Sequence, residues 1–139
     1  MAGDLLVKVA SPQALDTFVS VLSVHLGCDR WEMRDSSSYV EGRYYRCIVL
    51  SLEVTAAIAD SREFPGYDFW LSFWPNRIYL EDKAFLGGLA DCVARLLALH
   101  GYQVARPLDF IRGGTDAILY RRNPIAAVGP KEQVLTEAI

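Results

Sequence analysis

The chain predicts an α+β fold, a mainly antiparallel sheet of four to six strands with two helices packed on one face. Apolar residues recur at helical spacing in two well-separated segments, and three or four strand patterns run consecutively between them. Helices set apart from a run of strands favour a layered sheet over alternating βαβ units. At 139 residues the chain fits one domain, 1–139, with a single substantial core. Residues 107–139 read as a C-terminal extension docked on it.

Leu5 to Ala10 reads as a first strand. Ser11 is placed to cap a helix with Pro12 at its first position, where a missing N–H costs nothing. Leu15, Phe18, Val19, Leu22 and Leu26 give that helix its apolar stripe, and Gly27 ends it. Trp31 to Arg34 predicts a strand running into the polar turn Asp35-Ser36-Ser37-Ser38. Arg43 to Ile58 reads as one long central strand, with Tyr44, Ile48, Leu50, Leu52, Val54 and Ile58 on its apolar face. Tyr45, Val49, Ser51, Glu53 and Thr55 fall on the other face.

Asp60 to Gly66 is a charged turn closed by Pro65-Gly66. The strand that follows is unusual. Tyr67, Phe69, Leu71 and Phe73 form one apolar face, and the opposite face carries Asp68, Trp70, Ser72 and Trp74. One apolar face suffices to reach a core. Either a second layer covers the two indoles or they await a partner. Ile78 to Leu80 reads as a short strand after the Pro75-Asn76 break. Asp82 is placed to cap a second helix with the stripe Phe85, Leu89, Cys92, Val93, Leu96 and Leu97. Tyr102 to Ala105 predicts a last strand, Ile118 to Tyr120 an edge pairing, and Glu132 to Ala138 a helical turn.

Composition narrows the function classes. The net charge is −3, and Glu53 to Asp82 holds six acids against two arginines. An acidic chain repels phosphate backbones, so nucleic acid is not expected as a ligand. The acidic middle suits a basic partner, or simply keeps a turn solvated. Three cysteines (Cys28, Cys47, Cys92) without a Cys-x-x-Cys pair point to a reducing compartment, with Cys47 and Cys92 as small buried hydrophobes. No run resembles a signal peptide and no apolar stretch nears the ~20 residues of a bilayer span. A cytoplasmic protein without membrane attachment is expected.

No catalytic motif stands out. There is no Gly-x-Ser-x-Gly elbow. His25 and His100, 75 positions apart, each read as helix C-terminal residues, where imidazole suits the dipole. Asp60, Glu63 and Asp68 match no calcium-loop spacing. Gly87-Gly88 lies within a helix, where close packing explains it better than phosphate binding. Arg112-Gly113-Gly114-Thr115 reads as a tight turn. No cofactor, metal or catalytic residue is therefore predicted.

What remains is a recognition surface. Tyr39, Tyr44, Trp70 and Trp74, with Trp31 and Tyr45 beside them, offer large, stiff contact area. Glu32, Arg34, Asp35, Glu53, Asp60, Glu63 and Asp68 surround them with charge, a mixture typical of protein interfaces. The plain alternative makes most of these aromatics core.

Trp31-Glu32-Met33-Arg34, the serine-rich turn to Tyr39, Gly42-Arg43-Tyr44-Tyr45 and Phe64-Pro65-Gly66-Tyr67-Asp68-Phe69-Trp70 together resemble small α+β immunity proteins encoded beside bacterial polymorphic toxins, of the contact-dependent or type VI-delivered kind. The resemblance spans Trp31 to Trp74 and lies in texture. It implies a non-catalytic cytosolic inhibitor that covers a cognate toxin domain, a role compatible with a homodimer. Two other readings stay open: an enzyme or small-molecule binder with a pocket of Tyr44, Trp70 and Trp74, and a module that self-associates through the Trp face or an edge strand.

Overall fold

The computed structural model describes residues 3–75, 83–108, 116–123 and 134–138. Within them the chain forms an α+β fold whose antiparallel sheet has eight strands, more than the four to six expected. The strands are β1 (Asp4–Lys8), β2 (Glu32–Asp35), β3 (Arg43–Val49), β4 (Leu52–Ile58), β5 (Phe69–Pro75), β6 (Gln103–Pro107), β7 (Ala117–Arg122) and β8 (Val134–Ala138). The helices are α1 (Leu15–Leu26) and α2 (Lys83–Leu99). The spatial order is β2-β3-β4-β5-β1-β6-β7-β8, which puts the N-terminal strand in the middle.

Both helices cover the same face. Leu15, Phe18, Val19 and Leu22 of α1 share one core with Leu86, Ala90, Val93, Ala94 and Leu97 of α2. The sheet contributes Leu5, Val7, Val54, Phe69, Leu71, Phe73 and Val104 to it. Phe18 stacks flat on Phe69, with ring centroids 4.4 Å apart. Gly27 closes α1 in the left-handed region at φ 69°, where a Cβ would be strained.

Several expectations shift. The first helix starts at Leu15 with Ala14 as its N-cap, not at Ser11-Pro12. The Asp16 carboxylate in its first turn accepts from Tyr45 Oη at 2.8 Å and Arg43 Nη1 at 3.1 Å, so tertiary contacts fix the start. The long strand is a hairpin. Leu50 and Ser51 form a two-residue turn at φ 49° and 62°, both left-handed. Such turns normally carry Asn or Gly, so this one left no mark in the sequence. The reversal exchanges faces: Tyr45, Cys47 and Val49 lie opposite Ala56, Val54 and Leu52, and Tyr44 and Ile48 fall on the helix-free side.

Tyr67 lies outside β5 and packs on Leu6, Ala59 and Ala105, away from Phe69 and Leu71. In α2 the buried stripe is rotated, leaving Phe85 and Cys92 exposed. Among the described residues Gly87 and Gly88 are not packing sites: a Cβ on Gly88 would meet none of them within 4 Å, and one on Gly87 only Arg106 Nη1 at 3.7 Å. Residues 134–138 are a strand, not a helical turn. Paired to β7, they widen the sheet. The strand expected at Ile78–Leu80, the cap at Asp82 and the Arg112–Thr115 turn lie outside the described residues. Among the described residues no helix is long and apolar enough to cross a membrane.

Candidate functional site

The helix-free face is built in rows, because directly paired residues of neighbouring strands point the same way. One row runs Asp4, Ser72, Thr55, Arg46, Glu32 across five strands. A second, nearer the Leu50 turn, runs Trp74, Glu53, Ile48. On the other flank lie Leu6 and Trp70 with Ala57.

The polar row is largely shut from solvent. Asp4 is only 2 % exposed, and Ser72 and Thr55 are buried with it. Asp4 Oδ1 accepts from Ser72 Oγ at 2.5 Å and from Trp70 Nε1 at 3.3 Å, whereas Oδ2 has no hydrogen-bond partner among the described residues. A buried carboxylate is costly unless donors surround it, so these two contacts set the Trp70 ring. An ion pair between Arg46 of this row and Glu53 of the second links the two. Asp4 carries no motif in the sequence; its one signal there is an acid opening a buried strand.

Two loops roof the Trp70 end. Tyr39 stacks on Tyr44 at 4.5 Å and lies 5.9 Å from Trp70. The Phe64 ring lies 6.2 Å from Trp70, tilted to it. Burial, with Tyr44 next, pushes the Tyr39 phenol above its usual range, against a hydrogen bond with Thr55 that pulls it down. Between the loops lies a shallow cleft of about 190 Å³. Tyr39, Phe64 and Trp70 line it, Asp60, Arg62 and Glu63 form one rim, and Ser37 and Ser38 belong to the other side.

Among the described residues no such roof covers the Trp74 end. Trp74 is 44 % exposed and Ile48, in the same row, 48 %. Leu50, at the tip of the same hairpin, is 92 % exposed. Backbone strain at a bulky exposed residue costs about 1–2 kcal/mol and is characteristic of functional positions.

The structure therefore gathers Tyr39, Tyr44, Glu53, Trp70 and Trp74 on one face, with Asp60 and Glu63 at the edge of its cleft. Glu32 and Arg34 pair with each other at 3.1 Å on the edge strand β2, and Asp35 is exposed at its end. Asp68 Oδ2 accepts from the Val9 N–H at 2.9 Å, a structural task. The acids are also less free than their number suggests: Glu53 is held by Arg46 and Asp60 by Arg62. Trp31 and Tyr45 belong to the helix side, where the Trp31 indole donates to Cys28 O at 2.7 Å and Ser23 Oγ at 2.9 Å.

The helix side also brings His25 and His100 into a stack 3.7 Å apart, a pairing that their sequence separation concealed. Among the described residues no group of three or more His, Cys, Asp or Glu side chains could hold a metal ion. Comparisons with protein families, curated proteins and solved structures found no match.

Proposed function

We propose that this chain is a non-catalytic binding protein, an immunity protein of the toxin-neutralising kind, that grips a cognate toxin domain with its helix-free sheet face. The observation that carries the reading is the apolar group Trp74, Ile48 and Leu50, kept in water at one end of that face. Large aromatic and aliphatic anchors ringed by polar groups are what protein interfaces spend their energy on. The Arg46–Glu53 pair and the acids near the cleft supply the polar surround, and Glu63 beside the Asp60–Arg62 pair favours a basic partner.

The pocket alternative is less well supported. Tyr44 and Trp74 do not line the cleft, and its volume of about 190 Å³ is below the ~300–1,000 Å³ usual for small-molecule sites.

The test is co-purification and protection with the toxin domain encoded by the adjacent gene. Stable complex formation that Trp74→Ala weakens supports the proposal. No binding to any neighbouring toxin domain counts against it.

A further inference from the structure

The cleft beside Trp70 has its own chemistry, separate from the exposed apolar end of the face. Tyr39, Phe64 and Trp70 are among the residues that line the cleft, and it also holds two carboxylates, Asp60 and Glu63, against one guanidinium, Arg62. Aromatic faces attract cations through their quadrupole, Trp most strongly, and nearby carboxylates add to that attraction. A volume of about 190 Å³ is too small for a typical whole ligand. It suits one long side chain.

The protein already seats a cation at this rim. Arg62 donates to Asp60 through its backbone N at 2.9 Å, Nε at 3.2 Å and Nη2 at 3.1 Å. Its side chain is nevertheless 89 % exposed. Ion pairs in that much solvent are weakly held, so an incoming cation can exchange with it. Behind the cleft, the buried Asp4 carboxylate holds the Trp70 indole N–H and so fixes the wall that faces the cation.

We propose that the cleft is a receptor for a single lysine or arginine side chain of the partner protein, with Arg62 as its built-in competitor. The source of the side chain rests on the toxin-binding reading; the chemistry of the cleft does not, and small probes test it alone. The probes are N-acetyl-lysine and N-acetyl-arginine methylamides, with the norleucine and citrulline analogues as neutral controls. Binding is followed by NMR at the Trp70 indole N–H.

The cationic probes should give saturable shifts with affinity roughly three- to thirty-fold above the neutral controls, and added salt should weaken them. Glu63→Gln should reduce the difference, and Arg62→Ala should tighten the cations alone by freeing Asp60. Equal shifts from neutral and cationic probes, or no shift from either, overturn the proposal even if the toxin complex forms through Trp74. Cation binding by a chain that captures no toxin domain upholds the cleft and refutes only the assigned source.

Discussion

The Trp70 indole N–H donates to the carboxylate of Asp4 at 3.3 Å, joining the start of β5 to the start of the central strand β1. Asp4→Ala leaves that N–H and the Ser72 hydroxyl without their acceptor. Unsatisfied buried groups cost roughly 1–3 kcal/mol. Urea denaturation should show a loss of that size, and Asp4→Asn, which keeps a carbonyl oxygen, should lose less. Equal losses for the two variants would remove the hydrogen bonds as the cause.

Leu50 is held at φ 49° and Ser51 at φ 62°, in a turn geometry that glycine and asparagine prefer. The double substitution Leu50→Asn, Ser51→Gly should therefore raise stability by about 1 kcal/mol or more. It also removes an apolar side chain 92 % exposed at the hairpin tip. A more stable protein with weaker partner binding is the expected combination, read from denaturation midpoints and calorimetry. Undiminished binding would mean the strain serves no contact.

Gly88 interrupts α2, and among the described residues no close neighbour requires it. Gly88→Ala should stabilise the protein by about 0.5–1 kcal/mol through helix propensity and a less mobile unfolded chain. Thermal melting checks this; a destabilised variant would reveal a contact at that position.

Tyr120, fully buried on β7, donates to Asp91 Oδ1 on α2 at 2.5 Å and accepts from Arg106 Nε at 3.0 Å. Burial pushes the Asp91 carboxyl up, but hydrogen bonds from Tyr120 and Arg95 outweigh it and hold the group below its usual range. A carboxyl depressed in the folded state contributes stability fully present above its unfolded pKa, about 3.9. That contribution is lost as pH falls through the lower folded value. Tyr120→Phe should flatten this acid limb in denaturation series between about pH 5 and 2. An unchanged slope would show that Asp91 gains nothing from the tyrosine.

Burial, then Cys47 beside it, pushes the Cys28 thiol up to about 11, and both thiols are buried. The thiolate is the reactive form. At neutral pH a thiol reagent should label Cys92 quickly, with Cys28 and Cys47 reacting only on unfolding. Two or three fast thiols would contradict this burial.

Much of the frame was legible in the sequence. Phe69, Leu71 and Phe73 alternate cleanly with Trp70, Ser72 and Trp74, and Leu15, Phe18, Val19 and Leu22 mark α1, because each has one face in the core and one outside it. The hidden parts have physical reasons. A turn of Leu50-Ser51 carries no turn residue, so the hairpin read as one strand and Tyr44 and Ile48 were placed on the wrong face. Phe85 and Cys92 looked like core because periodicity gives a stripe but not its exact rotation. The site mixed both outcomes. The aromatics on the Trp70 face were evident, whereas Asp4, Phe64 and Arg62 meet Trp70 or its cleft only through folding.

The decisive measurement is calorimetric titration of the toxin domain encoded next door with the native chain and with Trp74→Ala, after circular dichroism shows the variant folded. A bulky ring left in water to grip another protein predicts tight native binding and a loss of ~2 kcal/mol or more for the variant. Identical affinities for the two chains would take that ring, and the sheet end around it, out of the interface.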